Sequence, residues 1–150
     1  DVTYVCTLRC YYCPTGKKQY ERKPGFLDLA NLKKFLEKVG KYLYIAHLFS
    51  WGEPLLHPDI SEIVHLVRHY NVFTSIANLN TKNVGLLEKL CDDSLDYLAP
   101  SIDGATQDVY SQYRVGGSLD LVLSNVRYVI EYNRKKGLSN PSMEWQYLIF

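Results

Sequence analysis

Cys6, Cys10 and Cys13 fall in one short stretch, Cys6-Thr7-Leu8-Arg9-Cys10-Tyr11-Tyr12-Cys13, with the spacing C-x3-C-x2-C. Three thiols this close cannot all pair as disulfides, because one is left over and the loops are very tight. The spacing suits a loop wrapped round one soft metal centre. Zinc needs a fourth protein ligand, and no partner cysteine stands at a second C-x-x-C spacing. A [4Fe–4S] cluster normally takes four cysteines; held by three, it keeps one iron open to a ligand that is not protein. The remaining cysteine, Cys91, lies in an apolar helix end and is expected in the core.

The elements that must position this loop follow from periodicity. The chain has 150 residues, 47% hydrophobic and 22% charged, which is globular and enough for one core. Val2 to Val5 is a β-type run leading into Cys6. Asp28 can cap a helix carrying Leu29, Leu32, Phe35, Leu36 and Val39, which stops near Gly40. Tyr42 to Phe49 is a continuous apolar run, as in a strand buried on both faces. Further helices are expected from Asp59, over Val84 to Leu90, over Thr106 to Tyr113, and from Ser118 to Gly137 with Leu119, Val122, Val126, Val129 and Ile130 inward. Further strands are expected over Val72 to Ala77, Tyr97 to Ile102 and Glu144 to Phe150. Strand and helix alternate throughout, which predicts an α/β fold of parallel β/α repeats with right-handed crossovers. Four such units and a fifth strand make an incomplete, partial TIM-type barrel. The chain begins with Asp and ends on an apolar strand with no helix to cover it. Residues 1–150 are therefore expected to be one core domain cut from a longer protein, truncated after the fifth strand, without its N-terminal start, its last strands or any C-terminal domain.

Composition narrows the partners. Net charge is +1, so no strong field attracts nucleic acid or an anionic membrane. No apolar run reaches the length of a membrane span. Clustered cysteines without a spread-out even framework favour a reducing compartment, here the cytoplasm.

In parallel sheets functional residues gather at the C-terminal ends of strands. The first strand leads into the cysteines, the second into Gly52-Glu53-Pro54, the third into Asn78, and the fourth into Ser101 and Asp103. The cysteine motif with Tyr12 before its last cysteine, the Gly-Glu-Pro segment, and Ser101-Ile102-Asp103-Gly104 followed by Arg114 and Gly116-Gly117-Ser118 occur in order. Together with Trp145 to Phe150 they resemble the radical SAM superfamily, in the branch that often carries a C-terminal SPASM domain.

The resemblance implies an enzyme in which Cys6, Cys10 and Cys13 bind three irons of a [4Fe–4S] cluster. S-adenosylmethionine then chelates the fourth iron through its amino and carboxylate groups. One electron, from a flavodoxin- or ferredoxin-like reductant, breaks the sulfonium bond. The resulting 5′-deoxyadenosyl radical takes a hydrogen atom from a substrate of unknown identity, with a peptide or protein suggested by the branch. By family position Glu53 meets the S-adenosylmethionine amino group, with Gly52 allowing close backbone approach to the ligand. Backbone at Tyr12 and the segment around Asn78 face adenine or ribose, and Ser101 and Arg114 hold ribose or carboxylate. Ala77-Asn78-Leu79 departs from the Thr-Asn-Gly that many members carry, and Ala77 offers no hydroxyl.

Plainer roles stand beside these. The cysteines could form a structural zinc site completed by Cys91 or a histidine, or an electron-transfer iron–sulfur module without S-adenosylmethionine chemistry. Ser101 could cap a strand end, Asn78 could serve a turn, and Arg114 could pair with a carboxylate on its own helix. Asp103 is expected as a turn former, and Trp51 in the core, with packing under the cofactor as its alternative. The run Lys17, Lys18, Arg22, Lys23 is expected to face solvent. His65 and His69 are expected on a solvated helix face.

Overall fold

A computed structural model describes residues 1–19 and 23–149. Arg22 of the basic run and Phe150 of the fifth predicted strand lie outside the described residues. Within them the order of elements is α1 (Leu29–Val39), β1 (Ile45–His47), α2 (Ile60–Arg68), β2 (Phe73–Ala77), α3 (Val84–Asp92), β3 (Tyr97–Ala99), α4 (Gln107–Tyr113), α5 (Leu119–Lys136) and β4 (Ser142–Met143). The strands form one parallel sheet in the order β1-β2-β3-β4, with Ile45 beside Phe73, Ser75 beside Tyr97 and Tyr97 beside Ser142. The predicted α/β repeat is thus present as a partial barrel wall.

Local chemistry sets the helix ends. Asp28, Asn83, Thr106 and Ser118 each accept a hydrogen bond from a backbone N–H three residues on, capping α1, α3, α4 and α5. Each such cap is worth about 1 kcal/mol. Gly137 ends α5 at φ +68°, a left-handed conformation that glycine adopts without penalty. Leu32 and Leu36 of α1, Ile60, Ile63, Val64 and Val67 of α2, and Leu87, Leu90 and Cys91 of α3 are buried in one core with Ile76 and Leu98 of the sheet. Helix α2 packs on β2, and α1, α3 and α5 extend the same layer.

Several expectations need correction. Val2 to Val5 joins no parallel ladder; it makes a single antiparallel bridge, Thr3 to Phe26, because its backbone groups pair with Gly25 and Leu27. The Tyr42–Phe49 run holds a strand of only three residues, and it is not buried on both faces: Tyr44 is 93% and Ile45 50% exposed. Among the described residues strand β1 pairs only with β2, and alternation turns Ile45 and His47 to the face opposite the helices. The last strand starts earlier than predicted, at Ser142. Beyond Met143 the pairing continues outside the named strand, through Glu144 N to Leu98 O at 3.2 Å and a parallel bridge between Ser101 and Gln146. Phe35 and Ile130 are half exposed, since both sit at the flank of their helix stripes. On α5 the inward positions include Asn125, whose Nδ2 donates to Leu79 O and Thr81 O, both at 2.7 Å.

Candidate functional site

The loop that follows β1 is clamped to the segment that precedes the cysteines. Glu53 N donates to Val5 O at 2.8 Å. At Gly52 a Cβ would lie 2.0 Å from Thr3 O, so only glycine fits. The close approach that Gly52 permits in this structure is to the chain's own backbone, and Gly52 also lines the cavity described below. Pro54–Leu56 forms a 3₁₀ turn capped by Glu53, whose Oε1 accepts from Leu55 N at 3.1 Å. His57 is buried and fixes the far end of the turn. Its Nε2 lies 2.9 Å from Leu27 O and its Nδ1 accepts from Asp59 N at 3.0 Å.

The cysteine loop folds on itself through Cys13 N to Cys10 O at 3.1 Å and Lys17 N to Cys13 O at 2.9 Å. All four cysteines are free thiols. Cys6 Sγ accepts from Leu8 N at 3.4 Å. Burial pushes the Cys6 thiol up to about 11, and pushes Cys10 up as well, where the Arg114 charge opposes it. Binding a metal would displace both protons.

At the end of β2, Asn78 takes φ +71°, a left-handed conformation that asparagine tolerates better than most residues. Its Oδ1 accepts from Leu79 N at 2.9 Å, and its Nδ2 donates to Glu53 Oε2. Glu53 is thereby fixed at both oxygens and only 3% exposed. Burial raises its pKa from the ordinary 4.5 to about 7, although the donors from Leu55 and Asn78 and the Arg114 charge pull the other way.

A cavity of about 240 Å³ joins these parts. Cys6, Cys10, Tyr12 and Cys13 line it from the loop, Gly52 and Glu53 from the end of β1, and Asn78, Ser101 and Arg114 from the ends of β2, β3 and α4. Every residue expected to hold the cluster or S-adenosylmethionine thus lines one cavity. Phe49, Trp51, Tyr113 and Gln146, none of them among the residues expected to bind, also line the cavity. Trp51 was expected in the core; it is 42% exposed at the cavity rim, because Gly52 pins the chain to Thr3 just after it. Gln146 is reached through its bridge to Ser101, a register that needs the sheet to be seen. Asp103 is more than a turn former. It is buried, forms an ion pair with Arg114 Nε, and accepts from Leu148 N at 2.9 Å. Arg114 accordingly pairs with the strand-end carboxylate rather than one on its own helix. Cys91 is buried in the core, as expected, and lines no part of this cavity.

The donor set can be tested against the group it would hold. Among the described residues no group of three or more His, Cys, Asp or Glu side chains could hold a metal ion as arranged, and no histidine lines the cavity. A structural zinc needs four protein ligands converging on one point, and the described residues hold no such group. Three thiolates on separate irons of a cubane need not converge on one point, and the cavity beside them leaves room for a ligand on the fourth iron. The residues fit a three-cysteine iron–sulfur cluster.

Comparison with known proteins now decides the family. Residues 1–141 match the family model of the Radical SAM superfamily. The chain belongs to the radical SAM superfamily. Its members use a [4Fe–4S] cluster and S-adenosylmethionine. The chain is 30% identical over 144 residues to pre-heme d1 synthase of Dinoroseobacter shibae, covering 92% of this chain and 34% of that protein. It is 33% identical over 121 residues to PqqA peptide cyclase of Gluconobacter oxydans, covering 78% of this chain and 32% of that protein. The radical SAM chain thus spans about a third of the length of these curated relatives. In fold it resembles Streptococcus suis SuiB bound to its precursor peptide SuiA, with a TM-score of 0.73 at 14% identity, covering 96% of this chain and 30% of that one. Among the described residues no helix is long and apolar enough to cross a membrane.

Proposed function

We propose that the chain is the core domain of a radical SAM enzyme in which Cys6, Cys10 and Cys13 would hold the [4Fe–4S] cluster beside the cavity. The observation that carries this reading is the meeting of three thiols, the Glu53 carboxylate and the strand ends in one cavity, with no fourth thiol or histidine on its wall among the described residues. When bound, the cluster and S-adenosylmethionine supply one-electron cleavage of the sulfonium and a 5′-deoxyadenosyl radical that takes a hydrogen atom from substrate.

The protein's own groups bind and orient. Glu53, ionised, would accept at Oε2 from the amino group of S-adenosylmethionine. Asn78 holds that carboxylate in place and keeps the β2 end turned into the cavity. Ser101 and the backbone at Tyr12 contact the ribose or adenine. The rings of Trp51, Phe49 and Tyr113 cover the cavity walls and limit water around the reacting atoms. The reductant is a flavodoxin- or ferredoxin-like protein that delivers one electron. The substrate class we favour is a peptide or protein. A relative named for peptide cyclisation, and a fold neighbour solved with a precursor peptide, support that choice.

The test is anaerobic reconstitution of the full-length protein. Four irons per chain, a paramagnetic signal that shifts when S-adenosylmethionine is added, and 5′-deoxyadenosine formed on reduction are expected. A colourless zinc protein, or a cluster blind to S-adenosylmethionine, refutes the reading. Peptide-dependent stimulation of 5′-deoxyadenosine release tests the substrate class.

A further inference from the structure

Arg114 stands opposite Cys10 in a register that two backbone bonds impose. Arg9 N donates to Val115 O at 2.9 Å, and Tyr11 N donates to Tyr113 O at 3.1 Å. The two neighbours of Cys10 are thus tied to the two neighbours of Arg114. Between them, Arg114 Nη1 lies 3.8 Å from Cys10 Sγ, within reach of an N–H to sulfur hydrogen bond. The guanidinium cannot drift. Its Nε is bound to Asp103, whose side chain is 1% exposed and whose other oxygen accepts from Leu148 N at 2.9 Å. Its plane also rests 5.1 Å from the centre of the Tyr113 ring. Cys6, by contrast, takes its donor from the neutral Leu8 backbone.

A fork-shaped cation with one arm on a buried carboxylate and another on a sulfur is fixed in orientation, which a lysine could not reproduce. A positive charge and a donor at a ligating sulfur favour the more negative, reduced state of an iron–sulfur cluster. We propose that Arg114, anchored by Asp103, is a positioning residue that raises the reduction potential of the cluster by donating to Cys10. This inference rests on the reading that a [4Fe–4S] cluster occupies the cysteine loop. It differs from the family expectation that Arg114 serves bound S-adenosylmethionine.

The test is a redox titration of the reconstituted full-length protein without S-adenosylmethionine, followed by electron paramagnetic resonance. In Arg114→Gln the ratio of reduced to oxidised cluster at a given potential should fall about tenfold, a drop in midpoint of about 59 mV for one electron. Arg114→Lys keeps the charge and should recover part of that drop. Unchanged midpoints in both variants overturn the proposal, including the case where only the affinity for S-adenosylmethionine falls. Failure of both variants to take up iron overturns it too, since Arg114 would then be needed only to build the loop. If the parent protein itself shows no [4Fe–4S] spectrum, the cluster assignment fails together with this inference. A parent with the cluster and unmoved variants sinks the inference alone.

Discussion

Glu53 carries a pH signature that can be measured without any cofactor. In the folded chain its carboxyl is buried and its pKa stands at about 7, against an ordinary value of 4.5. The native state therefore binds this proton more tightly than the unfolded state does. The stability that the protonated form contributes is fully present below about pH 4.5. It is lost as the pH rises through about 7. At about 1.4 kcal/mol for each tenfold, the gap amounts to about 3 kcal/mol. Glu53→Gln cannot ionise, so the difference in unfolding free energy between the two proteins isolates this contribution. The glutamine amide cannot accept from both Leu55 N and the Asn78 amide, so a pH-independent offset of about 1 kcal/mol is expected as well. The slope with pH is the decisive quantity. Urea unfolding of the cofactor-free protein at pH steps from 5 to 8 should show the parent losing about 2–3 kcal/mol relative to Glu53→Gln. A difference that stays constant over that range would refute the argument that burial outweighs the two donors. The same logic has a functional side. An amino N–H donated to Oε2 favours the ionised carboxylate, so binding of S-adenosylmethionine near pH 6.5 should release more protons in the parent than in Glu53→Gln, measurable by calorimetry in buffers of different ionisation enthalpy.

Other outcomes follow from the contacts around the cavity. Asn78→Ala removes the Glu53 donor and places alanine at φ +71°; stability should fall by about 1–2 kcal/mol, and the pH midpoint just described should move upward. Gly52→Ala drives a Cβ into the Thr3 carbonyl, costing about 1–3 kcal/mol by urea unfolding. It should also lower iron retention, because Thr3 to Val5 leads directly into Cys6. Cys91→Ala should cost about 1 kcal/mol through lost core contacts while leaving the iron count unchanged, whereas Cys10→Ala should abolish cluster uptake.

The residues with chemistry in their side chains were legible because type and spacing alone mark them. Three clustered thiols, a carboxylate after a strand and an asparagine after the next each announce a site, and alternation of strand and helix puts them on one rim. Burial was harder to read. The Tyr42–Phe49 run is apolar throughout, which is the pattern of a strand covered on both faces. It nevertheless lies at the sheet edge with Tyr44 93% exposed, because composition reports what a strand can bury and neighbours decide what it does bury. Trp51 was misplaced for a related reason: hydrophobicity argued for the core, while the contact of Gly52 with Thr3 held it at the rim.

Asp103 and Arg114 show the deeper limit. They are eleven residues apart, with α4 between them, and neither type nor spacing says that one anchors the other. Their partnership depends on the last turn of α4 lying against the cysteine loop, with Arg9 and Tyr11 bonded to Val115 and Tyr113. The same two backbone bonds that hold the loop also aim the cation at Cys10. A change at the C-terminal end of α4 should therefore disturb loop geometry and cluster electrostatics together. A change at Asn78 should disturb Glu53 and leave Cys10 alone. The cavity thus has two controls, one on the carboxylate side and one on the thiol side, joined by the Arg114 charge, which also bears on Glu53; the pH series reads the first and the redox titration the second.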